Sequence, residues 1–309
     1  MTEFDNSVLE CDPNASSSPS YCVNTACSSS LYAIDGAIKA IQRGQCEGAI
    51  VCASNFCLKL SENPILTPYL SSSEKSSPFD SNADGYVRAD TVAAVFLQKR
   101  KHARRVYANA IQSATNCDGF IGGGTGTPSV KQQIKLYEQC YKEINLNPRK
   151  ISYIEAHGTG TQAGDIAEGT SINEFFCAER KSPLKIGSVK SNMGHSEAAS
   201  GVCGLIKMII AFESGIIPAN LRYKTPNPEI KGLIDGHLEI VSKSIPLEGE
   251  YFAINAFRFG GANGHMIISP NKKIKNKKPE LNEKIPFLVT ASGRTEEAVD
   301  CILNNVRHE

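Results

Sequence analysis

A cysteine stands where a helix should begin. In Thr25-Ala26-Cys27-Ser28-Ser29-Ser30-Leu31-Tyr32, small residues able to cap a helix follow Cys27. Leu31, Ile34, Ile38 and Ile41 then recur at helical spacing, and Gly44 supplies a stop. A thiol at a helix N-terminus sits at the positive end of the macrodipole, beside unpaired N–H groups. That position is expected to lower its pKa and favour the nucleophilic thiolate. The same N–H groups can stabilise an oxyanion on a thioester formed there. A lone cysteine is most often a core residue, so Cys27 acquires meaning from two histidine motifs downstream.

The first motif is Glu155-Ala156-His157-Gly158-Thr159-Gly160-Thr161-Gln162-Ala163-Gly164-Asp165. The apolar run Ile151–Ile154 before it reads as a strand, so His157 leaves a strand's C-terminal end on a Gly/Thr-rich loop. Ligand sites in α/β sheets collect at that edge. The second motif is Lys190-Ser191-Asn192-Met193-Gly194-His195, after the run Ile186–Val189. It is expected to open a helix carrying Val202, Leu205, Ile206, Ile209 and Ile210, with His195 at the strand-to-helix junction. Either histidine alone could be a hydrogen-bonded structural residue. One cysteine and two histidines, each at an element's start or end, form a much less accidental set.

Four separated stretches, Ser20–Leu31, His157–Asp165, Lys190–Gly201 and Phe257–His265, together resemble the β-ketoacyl synthase family, in the family's order. Asp80–Arg88, Ala103–Tyr107, Asn116–Phe120 and Thr225–Ile230 look more narrowly like the ketosynthase of the animal multifunctional fatty acid synthase, with polyketide synthases the nearest relatives. The resemblance runs from about Ser18 to about Pro270 and implies a chemistry. Cys27 would take an acyl group from the phosphopantetheine arm of an acyl carrier protein. His157 and His195, as neutral imidazoles, would hold a malonyl thioester carbonyl while carbon dioxide leaves. The enolate would then attack the Cys27 thioester. The backbone N–H groups of Cys27 and Phe259 would form the oxyanion hole. Lys190 matches a lysine near the site, and Asp165 and Glu168 match its acidic partners in a buried ionic network; a purely structural salt bridge is the other reading. Thr159 and Thr161 match hydroxyls that touch the pantetheine arm. Asn263 matches a supporting residue beside the histidines. No bound cofactor and no metal are implied.

One departure lies close to the chemistry. The family's Phe-Gly-Phe-Gly-Gly gating loop reads Phe257-Arg258-Phe259-Gly260-Gly261 here. Glycine at its second position lets such a loop swing; Arg258 would restrict it and add a charged side chain.

The family fold is α/β and thiolase-like: two similar halves, each a mixed five-stranded sheet with helices, in α-β-α-β-α layers. The first half is expected to be incomplete, since only 26 residues precede Cys27. The resemblance divides the chain into a non-matching polar stretch, 1–17, and the rest of the N-terminal half, 18–102. The C-terminal half follows at 103–270, then a Lys-rich linker, 271–285, and the start of a ketosynthase–acyltransferase linker domain, 286–309. Strands are expected at Pro19–Ala26, Ala49–Ser54, Tyr107–Ile111 and Pro286–Ser292, and helices at Ser129–Ile144 and Glu296–Val306. Without the missing strands, the Leu31–Ile41 face and the Ala49–Ser54 strand would lose partners. That strand also matches the edge where subunits of the parent homodimer pair, so the chain alone is expected to be poorly soluble and weakly active.

Composition fits a soluble, cytoplasmic protein. With 41% apolar residues and a net charge of +1, the chain can build a core and makes no electrostatic case for nucleic acid or a membrane surface. No apolar run approaches a membrane span, and no signal peptide opens the chain. The 11 cysteines contain no C-x-x-C pair and read as reduced thiols, with Cys22, Cys46, Cys52, Cys57 and Cys203 in the core. Gly122–Pro128 lacks a P-loop lysine and reads as a surface loop. No acyltransferase, reductase, dehydratase or carrier motif is found, so the carrier must come from elsewhere. The functional expectation is decarboxylative condensation in fatty acid biosynthesis. The alternatives are a polyketide synthase condensing domain, a silent fragment serving only in assembly, and thiolase chemistry. A thiolase would pair its nucleophile with one histidine and a second cysteine.

Overall fold

Burial alternates along Thr91–Gln98 and mostly alternates along Gly48–Asn55, the pattern of strands with one face on a core. The computed structural model describes residues 7–11, 19–57, 66–120 and 126–271, with Thr295, Glu296, Val299, Asp300 and Asn304 beyond them. The chain divides into two compact units, Met1–Asn271 and Lys272–Glu309. In the second, Glu296, Val299, Asp300 and Asn304 are helical, as expected there, and the Val299 N–H donates to the Thr295 carbonyl. The strand expected at Pro286–Ser292 lies outside the described residues.

The first unit holds two main sheets. One comprises β1 Ser7–Cys11, β2 Ser20–Val23, β3 Gly48–Asn55 and β4 Thr91–Gln98. Its order is β2-β1-β3-β4, with every pair antiparallel. Eight further strands follow: β5 Ala108–Cys117, β6 Ile151–Glu155, β7 Leu184–Gly187, β8 Ile216–Ile217, β9 Leu238–Ile240, β10 Ile245–Pro246, β11 Tyr251–Phe257 and β12 Ala262–Pro270. Six of them form a mixed sheet in the order β5-β12-β11-β6-β7-β9, antiparallel from β5 to β11 and parallel from β11 to β9. β8 and β10 make a separate two-stranded ribbon.

The helices are α1 Ser29–Gln42, α2 Val130–Glu143, α3 Gln162–Phe176, α4 Lys190–Met193, α5 Ser200–Ser214 and α6 Lys231–Ile234. Leu31, Ile34 and Ile41 of α1 and Val202, Leu205 and Met208 of α5 share one core with Ala49 and Val51 of β3 and Phe252 and Ile254 of β11. These helices therefore lie between the two sheets. α2, α3 and α6 cover the other face of the six-stranded sheet, where Leu136, Tyr137, Ile172 and Phe176 meet Ile154, Ile186 and Ile267. This is the layering of a thiolase-like fold, short of its fifth layer: among the described residues no helix packs on the outer face of the four-stranded sheet. Val92 and Phe96 on that face are 73% and 60% exposed.

The structure corrects four expectations. The polar N-terminal stretch supplies β1, which pairs with both β2 and β3. β3 is consequently an interior strand rather than an unpaired edge or a subunit-pairing edge, and the apolar face of α1 is buried. The serines after Cys27 do not cap α1. Ser28 Oγ donates to the Thr25 carbonyl at 3.0 Å and Ser29 Oγ to the Ala26 carbonyl at 2.7 Å, tightening a 3₁₀ turn at Ala26–Ser28. The Lys190 motif forms its own short helix, α4, and His195 lies between it and α5. Finally, Cys22 and Cys52 are exposed and Cys57 is half-buried, whereas Cys46 and Cys203 are core; all nine described cysteine thiols are free.

Candidate active site

Three segments from different parts of the chain converge on Cys27. The first is its own turn, where Ala26 carries φ +46° and turns the chain sharply into Cys27. Ser200 Oγ donates to the Cys27 carbonyl at 2.8 Å, tying the start of α5 to this turn. Cys27 is only 6% exposed. Burial, reinforced by the carboxylate of Glu197, pushes its thiol up to about 12, against the opposing charges of Lys190 and Arg258. The lowered thiol expected from the helix end is overturned, because desolvation outweighs the end of a helix that begins only at Ser29.

The second segment is the loop between β6 and α3. Glu168, inside α3, accepts the backbone N–H groups of His157 and Gly158, both at 2.8 Å, and Asn255 Nδ2 at 2.8 Å. Asp165 accepts the N–H groups of Phe79 at 2.7 Å and Gly160 at 3.1 Å. Burial pushes Asp165 up to about 7 and raises Glu168, while these N–H bonds pull both down. The loop needs glycine at 158, where φ is +35° and an added Cβ would come within 2.9 Å of Phe79 and Ser188.

The third segment carries His195. Its backbone is clamped in both directions: its N–H donates to the Val87 carbonyl at 2.6 Å and its carbonyl accepts from Ala89 at 3.0 Å. Behind it, Arg88 grips Glu197 at 2.9 and 3.1 Å, and the Tyr86 ring meets the His195 ring edge-on at 4.8 Å. A buried pair, Lys207 to Glu155 at 2.5 Å, fixes the approach, because Glu155 also accepts the Val189 N–H at 2.6 Å just before α4.

His195 Nε2 lies 3.2 Å from Cys27 Sγ, and the two imidazoles meet edge-on at 5.3 Å. Burial, helped by the positive charge of Lys190, holds both histidines well below their ordinary 6.5, so both are neutral. The Nδ1 atoms of both rings are buried without a partner. The Cys27, His157 and His195 ligand atoms all lie within 4.8 Å of one another, a set that could also hold a thiophilic ion. Lys190 is buried, and burial lowers its ammonium below 10.5.

The trio opens into a cavity of about 300 Å³ whose wall includes Thr159, Thr161, Tyr69, Arg258 and Phe259. Thr159 and Thr161 join their hydroxyls at 2.9 Å, and Phe259 stacks on Tyr69 with ring centroids 5.5 Å apart. Gly260 and Gly261 both take φ +87°, while Arg258 keeps an ordinary negative φ.

The sequence expectations thus meet in one place: Cys27, His157, His195, Thr159, Thr161, Asp165, Glu168, Arg258 and Phe259 all line the cavity. Two expectations change. Among the described residues Lys190 makes no ion pair with Asp165 or Glu168, and the histidine loop is held by carboxylate–backbone hydrogen bonds instead. Asn263 hydrogen-bonds neither histidine; its amide joins Asp118 at 2.6 Å, Asn116 and the Gly261 carbonyl, steadying the 258–261 loop. The residue tied to the His157 loop is Asn255, which also meets His265 Nδ1 at 2.7 Å. Its signal was a single polar residue inside the apolar strand Phe252–Phe257. Glu197 and Arg88 offered no local signal.

The chain matches the β-ketoacyl synthase N-terminal domain over residues 15–103, the β-ketoacyl synthase C-terminal domain over 107–224 and the ketoacyl-synthetase C-terminal extension over 226–309. It is 37% identical over 259 residues to the highly reducing polyketide synthase gloL of Glarea lozoyensis, covering 81% of this chain and 10% of that protein. It is 40% identical over 260 residues to the lovastatin diketide synthase lovF of Aspergillus terreus, again covering 81% of this chain and 10% of that protein. Among solved structures, the ketosynthase from module 6 of the bacillaene synthase of Bacillus subtilis 168 superposes with a TM-score of 0.77 at 29% identity, over 81% of this chain and 47% of that one. Ketosynthase twelve of the bacillaene polyketide synthase of Bacillus amyloliquefaciens gives 0.78 at 29% identity, over 93% and 51%. The chain thus spans about a tenth of these curated relatives and about half of these solved ketosynthases. Adjoining family matches in family order, together with that superposition, carry the assignment: the chain belongs to the β-ketoacyl synthase family.

Proposed function

We propose that this site performs a decarboxylative Claisen condensation between an acyl group on Cys27 and a malonyl group on an acyl carrier protein. The observation that carries the reading is the meeting of Cys27, His157 and His195 at the floor of one cavity. In the first half-reaction Cys27 Sγ attacks the carrier thioester. Its proton passes to His195 Nε2, 3.2 Å away, and on to the departing pantetheine thiolate. The thiol is protonated at rest, so this transfer accompanies attack rather than preceding it. The N–H groups of Cys27 and Phe259 serve the oxyanion.

Once Cys27 is acylated, no S–H remains to donate to His195. His195 then carries its ring proton on Nε2 instead of Nδ1, by exchange with solvent in the open cavity, and both neutral imidazoles present Nε2–H to the malonyl thioester carbonyl. Carbon dioxide leaves, the enolate forms against these donors, and its carbon attacks the Cys27 thioester. The Cys27 thiolate departs and takes a proton from solvent, which balances the carboxylate lost as carbon dioxide. Lys190 acts through its charge on the trio, Asp165 and Glu168 hold the histidine loop, and Thr159 and Thr161 receive the pantetheine arm.

Product class is a finer part of the proposal. The relatives reported above are polyketide synthases, and they favour a polyketide condensing role over the fatty acid pathway; the carrier-bound chemistry is the same in both. The test is a division of labour. Cys27→Ala should abolish acyl-enzyme formation while sparing malonyl decarboxylation. His157→Ala or His195→Ala should cut decarboxylation by at least ~100-fold and spare acylation better. Equal loss of both steps in every variant would remove the assigned roles.

A further inference from the structure

Arg258 replaces the small residue expected on the gating loop, and its side chain enters the wall of the Cys27 cavity. The guanidinium folds over Gly260, whose added Cβ would lie 3.7 Å from Arg258 Nε and 3.9 Å from Cζ and Nη2. Arg258 Nε is buried with no hydrogen-bond partner. Among the described residues no carboxylate pairs with it. The acids in the same wall are already engaged. Asp84 accepts Ser71 Oγ at 2.7 Å and Ser72 Oγ at 2.9 Å, and Asp165 and Glu168 accept backbone N–H groups. A partly desolvated guanidinium without a counter-ion is costly, and a carboxylate is the group its planar fork matches.

We infer that Arg258 makes this cavity a receptor for an acyl donor bearing a carboxylate at its far end, a dicarboxylic half-thioester, delivered to Cys27. The inference rests on the condensing reading. The malonyl carboxylate is the poorer match: it must leave as carbon dioxide, and an arginine clamp would stabilise it before that step and oppose its loss. A carboxylate at the end of the donor survives both half-reactions. Acylation stays balanced: the Cys27 S–C bond forms as the donor's thioester C–S bond breaks, and the thiol proton leaves with the departing thiol.

The experiment compares acylation of Cys27 by glutaryl and 5-methylhexanoyl N-acetylcysteamine thioesters, which match in shape and differ in charge. Rates come from intact-protein mass spectrometry, and peptide mapping locates the adduct. The full chain should react at least ~10-fold faster with the glutaryl thioester, the scale of one charge-assisted contact. Arg258→Gly should lose or invert that preference, and Arg258→Lys should keep part of it. Equal or faster reaction of the full chain with the neutral thioester would overturn the inference and leave the condensing reading intact. So would a glutaryl preference that persists in Arg258→Gly. An Arg258→Gly variant that loses carbon dioxide release from malonyl thioester but keeps the glutaryl preference would move the anion to malonyl and overturn the donor assignment. No acylation by either thioester would overturn both the inference and the condensing reading.

Discussion

Cys27 is a buried thiol beside a neutral imidazole, and this sets how its reactivity should depend on pH. The thiol sits at about 12, so the thiolate fraction keeps growing through the whole neutral and mildly alkaline range. Alkylation of Cys27 by iodoacetamide, followed by peptide mapping, should rise about tenfold per pH unit from pH 7 to pH 10 with no inflection. A plateau above an inflection near pH 7 would mean that the helix end and Lys190 outweigh burial after all. At this scale the sequence was informative where chemistry and local signal coincide. Cys27 precedes a helical stripe, and His157 and His195 each leave a short apolar run. It was silent where a partner comes from far along the chain. Asn255 reaches Glu168 across 87 residues and Arg88 reaches Glu197 across 109, and no periodicity announces either.

At the scale of elements, the second sheet and its helices were legible because their alternation is strong. α2 was expected at Ser129–Ile144 and runs Val130–Glu143, with Ser129 Oγ accepting the Gln132 N–H as its cap. β1 was not legible. Five residues in a polar stretch carry little pattern, and only pairing with β2 and β3 defines them as a strand. Because β1 has a neighbour on each side, Leu9→Pro removes a ladder N–H from the sheet interior. A loss of about 2–3 kcal/mol is expected, read as a melting temperature several degrees lower. An unchanged melting curve would show that β2 and β3 do not depend on β1. The 3₁₀ turn at Ala26–Ser28 was also missed, since serines favour caps and tight turns alike.

For the whole molecule, the consequence of burying so many ionisable groups is a pH-dependent stability. His265 is fully buried, and burial lowers it to about 3 from its ordinary 6.5. Below pH 6.5 the unfolded chain takes up a proton that the folded state refuses, so this histidine subtracts stability as pH falls, until its folded value near 3 is reached. At pH 4 the loss is about 3 kcal/mol. Asp165, raised to about 7, works oppositely: its contribution is present at low pH and lost as pH rises toward 7. Chemical denaturation of His265→Gln should therefore show a shallower fall in stability between pH 6.5 and 4 than the unsubstituted protein. Identical slopes would remove His265 from the acid response. Among the described residues two main sheets enclose a shared helical layer, and one sheet face is uncovered. The layering followed from family order, whereas the full pairing of β3 required the structure.

The central claim is that Cys27, His157 and His195 make a carbon–carbon bond. It is tested most directly by a single turnover with acylated carrier protein and malonyl carrier protein labelled with ¹³C at either the free carboxylate or the central carbon. The account expects the carboxylate label to leave as carbon dioxide. It expects the central-carbon label to remain in a 3-oxoacyl carrier product two carbons longer than the donor. Acyl transfer to Cys27 and release of carbon dioxide, with both labels absent from any elongated product, would contradict it.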